Sequence, residues 1–252
     1  MPAHPSPIVL LHGTGMDSSM WAGFRSALER SGVDAENIYA LDLLGHGSTP
    51  RPSRPLHIDD YVRQVRKFII QTNVGAVQLV GHSLGGLVAL AVAATHPDVV
   101  TDVVVIGVPY GRSDAQRNEW LDLIMKAGST YDDESVDPVD NLSEVIAELG
   151  NRWCGHGDRS RQAVADRVGS LDAKTFGLVF RISMTSESLI AEFAPEIGAP
   201  VVVAAGDADR EVDAAGVDEL ARTLANGRAE IISGHHHLSI IDEPEPYVEL
   251  LS

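Results

Sequence analysis

A chain of 252 residues, 44% hydrophobic and 22% charged, has apolar surface enough for a sizeable core, which excludes a disordered polymer and suits one main domain with room for an insertion. Its 36 acidic residues against 19 basic give a formal charge of −17 with no Lys/Arg-rich run, so phosphate backbones and anionic membranes are poor electrostatic partners. Cys154 is the only cysteine, which excludes an intrachain disulfide, and neither a secretory leader nor a membrane-spanning apolar run is visible, so the expectation is a soluble cytoplasmic protein.

Six short apolar, mostly β-branched runs follow in order: PIVLLHG, NIYALDL, AVQLVGHS, VVVIGVP, PVVVAAGD and AEIISGH. None alternates with polar residues, as expected of parallel strands buried on both faces. The segments between them supply helices. MWAGFRSALERSG places Trp21, Phe24 and Leu28 on one helical face and stops at Gly32, while LGGLVALAVAATHP is apolar nearly all round and ends at a proline. Strands alternating with helices predict an α/β fold with a doubly wound, mostly parallel sheet.

The fourth and fifth runs are separated by residues 110–199, far too many for a crossover loop. RNEWLDLIMKAG, NLSEVIAELGNRW and KTFGLVFRISM in that interval have helical patterns, so 110–199 reads as an inserted helical cap on a core formed by 1–109 and 200–252. The acidic, proline-broken stretch TYDDESVDPVD (130–140) reads as a solvated loop.

Chemistry concentrates where strands end. GHSLGG puts Ser83 between Gly81 and Gly85 at a strand-to-helix turn, the setting in which a serine hydroxyl is exposed to a base and to the N–H groups of the following helix. HGTG at 12–15 ends the first strand, and the backbone N–H of Thr14 with that of Leu84 makes a two-donor hole for a tetrahedral oxyanion. GDADREV ends the fifth strand and offers Asp207, Asp209 and Glu211; SGHHHLSIIDEPEPY follows the sixth and offers His235, His236 and His237. Serine, then acid, then histidine is a chain order compatible with nucleophile, orienting carboxylate and base.

These residues resemble the α/β-hydrolase superfamily over essentially the whole chain, with VLLHGTG, LDLLGHGSTP, GHSLGG, GDAD and GHHHLSIIDEP in the family order. The first strand begins so early that it leaves no room for an N-terminal antiparallel hairpin, as in the short plant methylesterase and hydroxynitrile lyase group. The resemblance implies Asp209 as the acid, three residues after Gly206. It implies His237 as the base, seven residues before Pro244 with Asp242 between; the position after the fourth strand has no carboxylate until Asp114.

The function implied is a serine hydrolase cleaving a small to medium, partly hydrophobic carboxylic ester through an acyl-enzyme, with no cofactor, no metal, and a small-molecule ester or acyl substrate as its partner. A thioesterase, lactonase or carbon–carbon bond hydrolase would use the same residues, and a receptor-like member would bind its ligand and turn over very slowly. Leu238 stands where hydroxynitrile lyases carry a lysine, and Ser83 where epoxide hydrolases and dehalogenases need a carboxylate.

Among the remaining residues, His235 and His236 read as loop positions, His82 as a group behind the serine, His12 as a brace of its own loop, and His46 as part of a turn with Asp42 and Ser48. Trp120, Met125, Trp153, Phe176, Phe180 and Met184 are the apolar residues of the insertion available to line a pocket. Arg112, Arg117 and Arg181 read as solvated helix charges.

Overall fold

The structure, a computed structural model, describes residues 6–51, 53–126 and 142–251; the acidic stretch 130–140 lies outside them. Each apolar run forms a strand: β1 (Ile8–Leu11), β2 (Ile38–Leu41), β3 (Val77–His82), β4 (Val100–Ile106), β5 (Val201–Gly206) and β6 (Gly227–Ile232). They form one sheet in the order β2-β1-β3-β4-β5-β6 with every pair parallel, the α/β-hydrolase architecture. Leu11 is opposite Gly81, His82 opposite Ile106, Ile106 opposite Ala204, and Gly206 opposite Ile232. That register aligns the carboxyl ends, so the loops leaving them share one edge, where open α/β sheets place their ligands.

Burial on both faces holds for the central strands, where Val9, Leu10, Leu79, Val80, Val104 and Val105 are at most 1% exposed. It fails at the edges. Tyr39 and Ala40 of β2 are half-buried, and β6 buries no residue fully, with Ile231 41% exposed. An edge strand has one neighbour and less cover, and the Arg228–Glu230 ion pair on β6 adds charge that discourages pairing with another chain.

Helix α1 (Ala22–Arg30) buries Phe24 and Leu28 beside Trp21 and ends before Gly32, which has φ +99°. Helix α2 (Ile58–Thr72) goes beyond the helices expected by name. Its signal is the apolar face Ile58, Tyr61, Val62, Val65, Ile69, started by a capping box between His57 and Asp60. Helix α3 (Leu84–Thr95) is buried at every position from Leu84 to Ala93, as its composition requires. It crosses β1 at glycine distance: a Cβ on Gly85 would meet the backbone carbonyls of Leu11 and His12.

Among the described residues, four α-helices form the insert between β4 and β5: α4 (Asp114–Lys126), α5 (Leu142–Trp153), α6 (Asp158–Val168) and α7 (Ala173–Phe193). Asp172 starts α7 by accepting the Thr175 N–H at 2.8 Å, and α7 packs on α3, which brings the insert over the carboxyl edge of the sheet. Helix α8 (Ala214–Thr223), capped by Asp213, packs on β5 and β6.

Candidate active site

Ser83 occupies the junction of β3 and α3 with φ +50° and ψ −114°, a region that a non-glycine residue enters only where its surroundings force it. The forcing is visible in its backbone: the Ser83 N–H donates to the Ile106 carbonyl at 2.8 Å, and its carbonyl accepts the N–H groups of Gly86 and Leu87. The side chain is left at the floor of a cleft, 7% exposed.

The turn after β5 and the loop after β6 meet beside it. His237 donates from Nδ1 to Asp209 Oδ2 at 2.8 Å, and Asp209 Oδ1 accepts the N–H groups of Glu211 at 2.7 Å and Val212 at 3.3 Å. Both side chains are buried. Burial opposes charge on His237, but the Asp209 carboxylate and its hydrogen bond, with Glu211 beyond, outweigh burial and Arg112, so the imidazole pKa stands above its usual value. Its Nε2 is the nitrogen left for the cleft. No hydrogen bond joins it to Ser83 Oγ among the described residues, a contact that hydrolases commonly tighten only around substrate.

The competing candidates have other partners. Asp207 accepts Ser233 Oγ and the Gly234 N–H, which ties two loops together. His235 is buried, with Nδ1 3.1 Å from the Tyr247 hydroxyl. The His236 N–H donates to Ser239 Oγ. Asp242, spaced five residues from His237, accepts the N–H groups of Arg159 and Ser160 at the start of α6 and so holds the insert to the histidine loop.

Thr14 lines the cleft and Leu84 directly follows the serine that does, and among the described residues neither backbone N–H has an acceptor. The loop carrying Thr14 is fixed by two neutral histidines. His12 donates from Nδ1 to the Gly13 carbonyl at 2.8 Å and accepts the Leu43 N–H on Nε2. His46 departs from its expected partners: Asp42 is taken by Ser18 and Ser48, while His46 is buried, accepts the Gly15 N–H at 3.1 Å and donates to the Leu44 carbonyl. Behind the serine, His82 donates from Nε2 to the His237 carbonyl at 2.8 Å. Burial depresses the pKa of His12 to about 4 and of His46 and His82 to about 3.

The outer wall of the cleft comes from the insert: Trp120, Trp153, Phe180, Ser183 and Met184. The Trp153 and Phe180 rings lie parallel with centroids 6.1 Å apart. Met125 is 68% exposed and Phe176 belongs to the buried core, so neither lines the cleft. Arg112 corrects the expectation of a solvated charge: it is buried, lines the cleft and contacts Met184 Sδ, because the segment after β4 turns inward under Trp120. Among the described residues no three His, Cys, Asp or Glu side chains converge as metal ligands, and no helix is long and apolar enough to cross a membrane.

The sequence matches the model of the Alpha/beta hydrolase family over residues 8–250. It is 24% identical over 243 residues to (E)-2-((N-methylformamido)methylene)succinate hydrolase of Acinetobacter baylyi, covering 95% of this chain and 86% of that protein. It is also 24% identical over 262 aligned positions to human monoacylglycerol lipase ABHD6, covering 99% and 75%. Among solved structures, the enol-lactonase of Burkholderia xenovorans LB400 superimposes with a TM-score of 0.80 at 21% identity, covering 100% of this chain and 92% of that one. The esterase EaEST of Exiguobacterium antarcticum superimposes with a TM-score of 0.82 at 17% identity, covering 98% and 90%.

Proposed function

Because this chain belongs to the alpha/beta hydrolase family, we propose that it is a serine hydrolase that cleaves a small to medium, partly hydrophobic carboxylic ester through an acyl-enzyme. The observation that carries the reading is the shared cleft of Ser83, held at φ +50°, and His237, bonded to Asp209 at 2.8 Å. His237 Nε2 takes the Ser83 proton as Oγ attacks the acyl carbon, then gives it to the leaving alcohol; water repeats the sequence on the acyl-enzyme. Asp209 fixes the tautomer and supports the imidazolium. The amides of Thr14 and Leu84 receive the oxyanion, a role worth about 3 kcal/mol per donor in such sites.

Residues 110–199 act as a cap whose aromatic wall receives the acyl or alcohol portion. The names of three relatives, a lipase, a lactonase and an esterase, support hydrolysis of ester-like bonds and put lactones in the first panel of substrates, while the succinate-derivative hydrolase is named for an amide. Leu238, directly after His237, keeps cyanohydrin cleavage outside this reading. The reading extends to a reducing, cytoplasmic setting, in keeping with the single cysteine.

The test is hydrolysis of p-nitrophenyl esters of graded acyl length, with simple lactones alongside and Ser83→Ala as control. Turnover abolished in the variant, with a maximum at short to medium acyl chains, is the expected result. Rates equal in the two proteins sink the ester reading and leave a receptor-like role to be sought by ligand screening.

A further inference from the structure

Glu211 stands two residues after Asp209 on the turn leaving β5, yet its side chain belongs to the insert. It is 2% exposed, lines the cleft and accepts three hydrogen bonds: Trp120 Nε1 at 2.7 Å on Oε2, with Arg152 Nε at 2.8 Å and Trp153 Nε1 at 3.2 Å on Oε1. At the same time its backbone N–H donates to Asp209 Oδ1 at 2.7 Å. A buried indole N–H has one hydrogen to give and loses stability if it finds no acceptor, so this carboxylate dictates where both indoles stand. Those indoles are cleft walls: the Trp153 ring lies 5.7 Å from that of His237, and Trp120 stacks on Phe180 at 5.3 Å.

We propose that Glu211 is a positioning residue of the hydrolytic site, tying the seated insert to the alignment of Asp209 and His237 and lending its negative charge to the imidazolium formed during turnover. The proposal rests on Ser83, Asp209 and His237 being the hydrolytic groups. A scaffold role alone would need only hydrogen-bond acceptors; the charge is what separates the two.

The groups facing His237 are Asp209 and Glu211 from the turn after β5, Arg112 from the segment after β4, and His82 from the end of β3. Two carboxylates favour its protonated form, Arg112 opposes it, and His82 is held neutral by burial. Glu211 itself faces Arg152 from α5, Arg112 and His237, with Glu119 of α4 sharing Arg152. Burial works against its ionisation, but the Arg152 hydrogen bond and the surrounding cations prevail, so its pKa is lowered and it is charged across the working range.

Glu211→Gln removes the charge and keeps an acceptor for one indole only, because Trp120 and Trp153 are held on different oxygens and an amide nitrogen accepts from neither. The His237 imidazole, titrated by NMR in the full-length protein, is then expected to release its proton at lower pH than in wild type. The acid limb of kcat/KM on a p-nitrophenyl ester moves down with it, and kcat falls by roughly tenfold with KM little changed. Arg152→Gln, which leaves Glu211 charged and strips its counter-charge, is expected to shift His237 the other way. Opposed shifts also guard against simple damage, and if Glu211→Gln does not fold, Arg152→Gln decides alone. A His237 titration unmoved in the folded variants overturns the proposal. Because the titration needs no substrate, it stands apart from the ester reading, which falls if wild-type protein shows no Ser83-dependent hydrolysis.

Discussion

The two walls of the cleft are built differently. On the sheet side, His12, His46, His82 and Asp209 each hold backbone groups, and Ser83 is locked into its strained turn by main-chain bonds to β4 and α3. On the insert side, Trp120, Trp153, Phe180 and Met184 present rings and a thioether, and the polar ties run back to the sheet through Glu211, Asp242 and the Thr14–Ser183 hydroxyl pair. Reacting groups need fixed positions within fractions of an ångström, whereas a binding wall needs shape and can be exchanged by substitution. On the proposed function, the sheet side sets which reaction occurs and the insert chiefly what fits, with Glu211 the tie between them.

The largest test of that division is on the sheet side. His237→Ala is expected to cut kcat/KM by ~10⁴ or more with the thermal midpoint nearly unchanged, since residues acting as a unit fail together. Full activity there, with the loss appearing in His236→Ala, would break the comparison by moving the base to a loop position.

Next in size is acid stability. His12, His46 and His82 are neutral in the fold, with pKa values near 4, 3 and 3, while the unfolded chain takes up those protons near the ordinary value of about 6.5. The unfolded state thus binds more protons below about 6.5, and each group removes up to ~1.4 kcal/mol of stability per pH unit as pH falls toward its folded value. His237 acts oppositely, because its raised pKa adds stability at low pH that fades as pH rises, but it is one group against three. Urea midpoints at pH 7, 6 and 5 should fall in that order; a flat series would show that the sheet side is less rigidly neutral than its geometry implies.

Smallest is an insert substitution. Phe180→Leu is expected to move the preferred p-nitrophenyl ester to a longer acyl chain and to change kcat/KM on the shortest by tenfold or less, with the pH profile unmoved. A shifted pH profile in that variant would mean that the insert wall does more than select.

How much of this was legible follows from the kind of signal each part leaves. The six β-branched runs and the all-apolar α3 are local patterns, and the strands and helix stand where those patterns put them, while α4 to α7 fall within the oversized interval 110–199. Strand ends, with the family resemblance, pointed to Ser83, Asp209 and His237. What was not legible depends on which strand becomes an edge and on distant side-chain meetings. No run announces that β6 has a single neighbour. Nothing periodic links Glu211 to Trp120, 91 residues away, or His46 to Gly15, 31 away. Arg112 looked like a surface charge because its segment, read alone, is polar. The repeat that makes α2, in contrast, was there to be counted.

Gly107, directly after β4, limits what can be built beside His237. It has φ +61°, and a Cβ on it would stand 3.1 Å from the His237 ring and 3.3 Å from Asp209 Oδ2. While histidine and carboxylate keep these places, a side chain here is strained by its φ and must push both aside by a few tenths of an ångström. A second carboxylate built at Gly107 would therefore crowd Asp209 and set two like charges beside one imidazole.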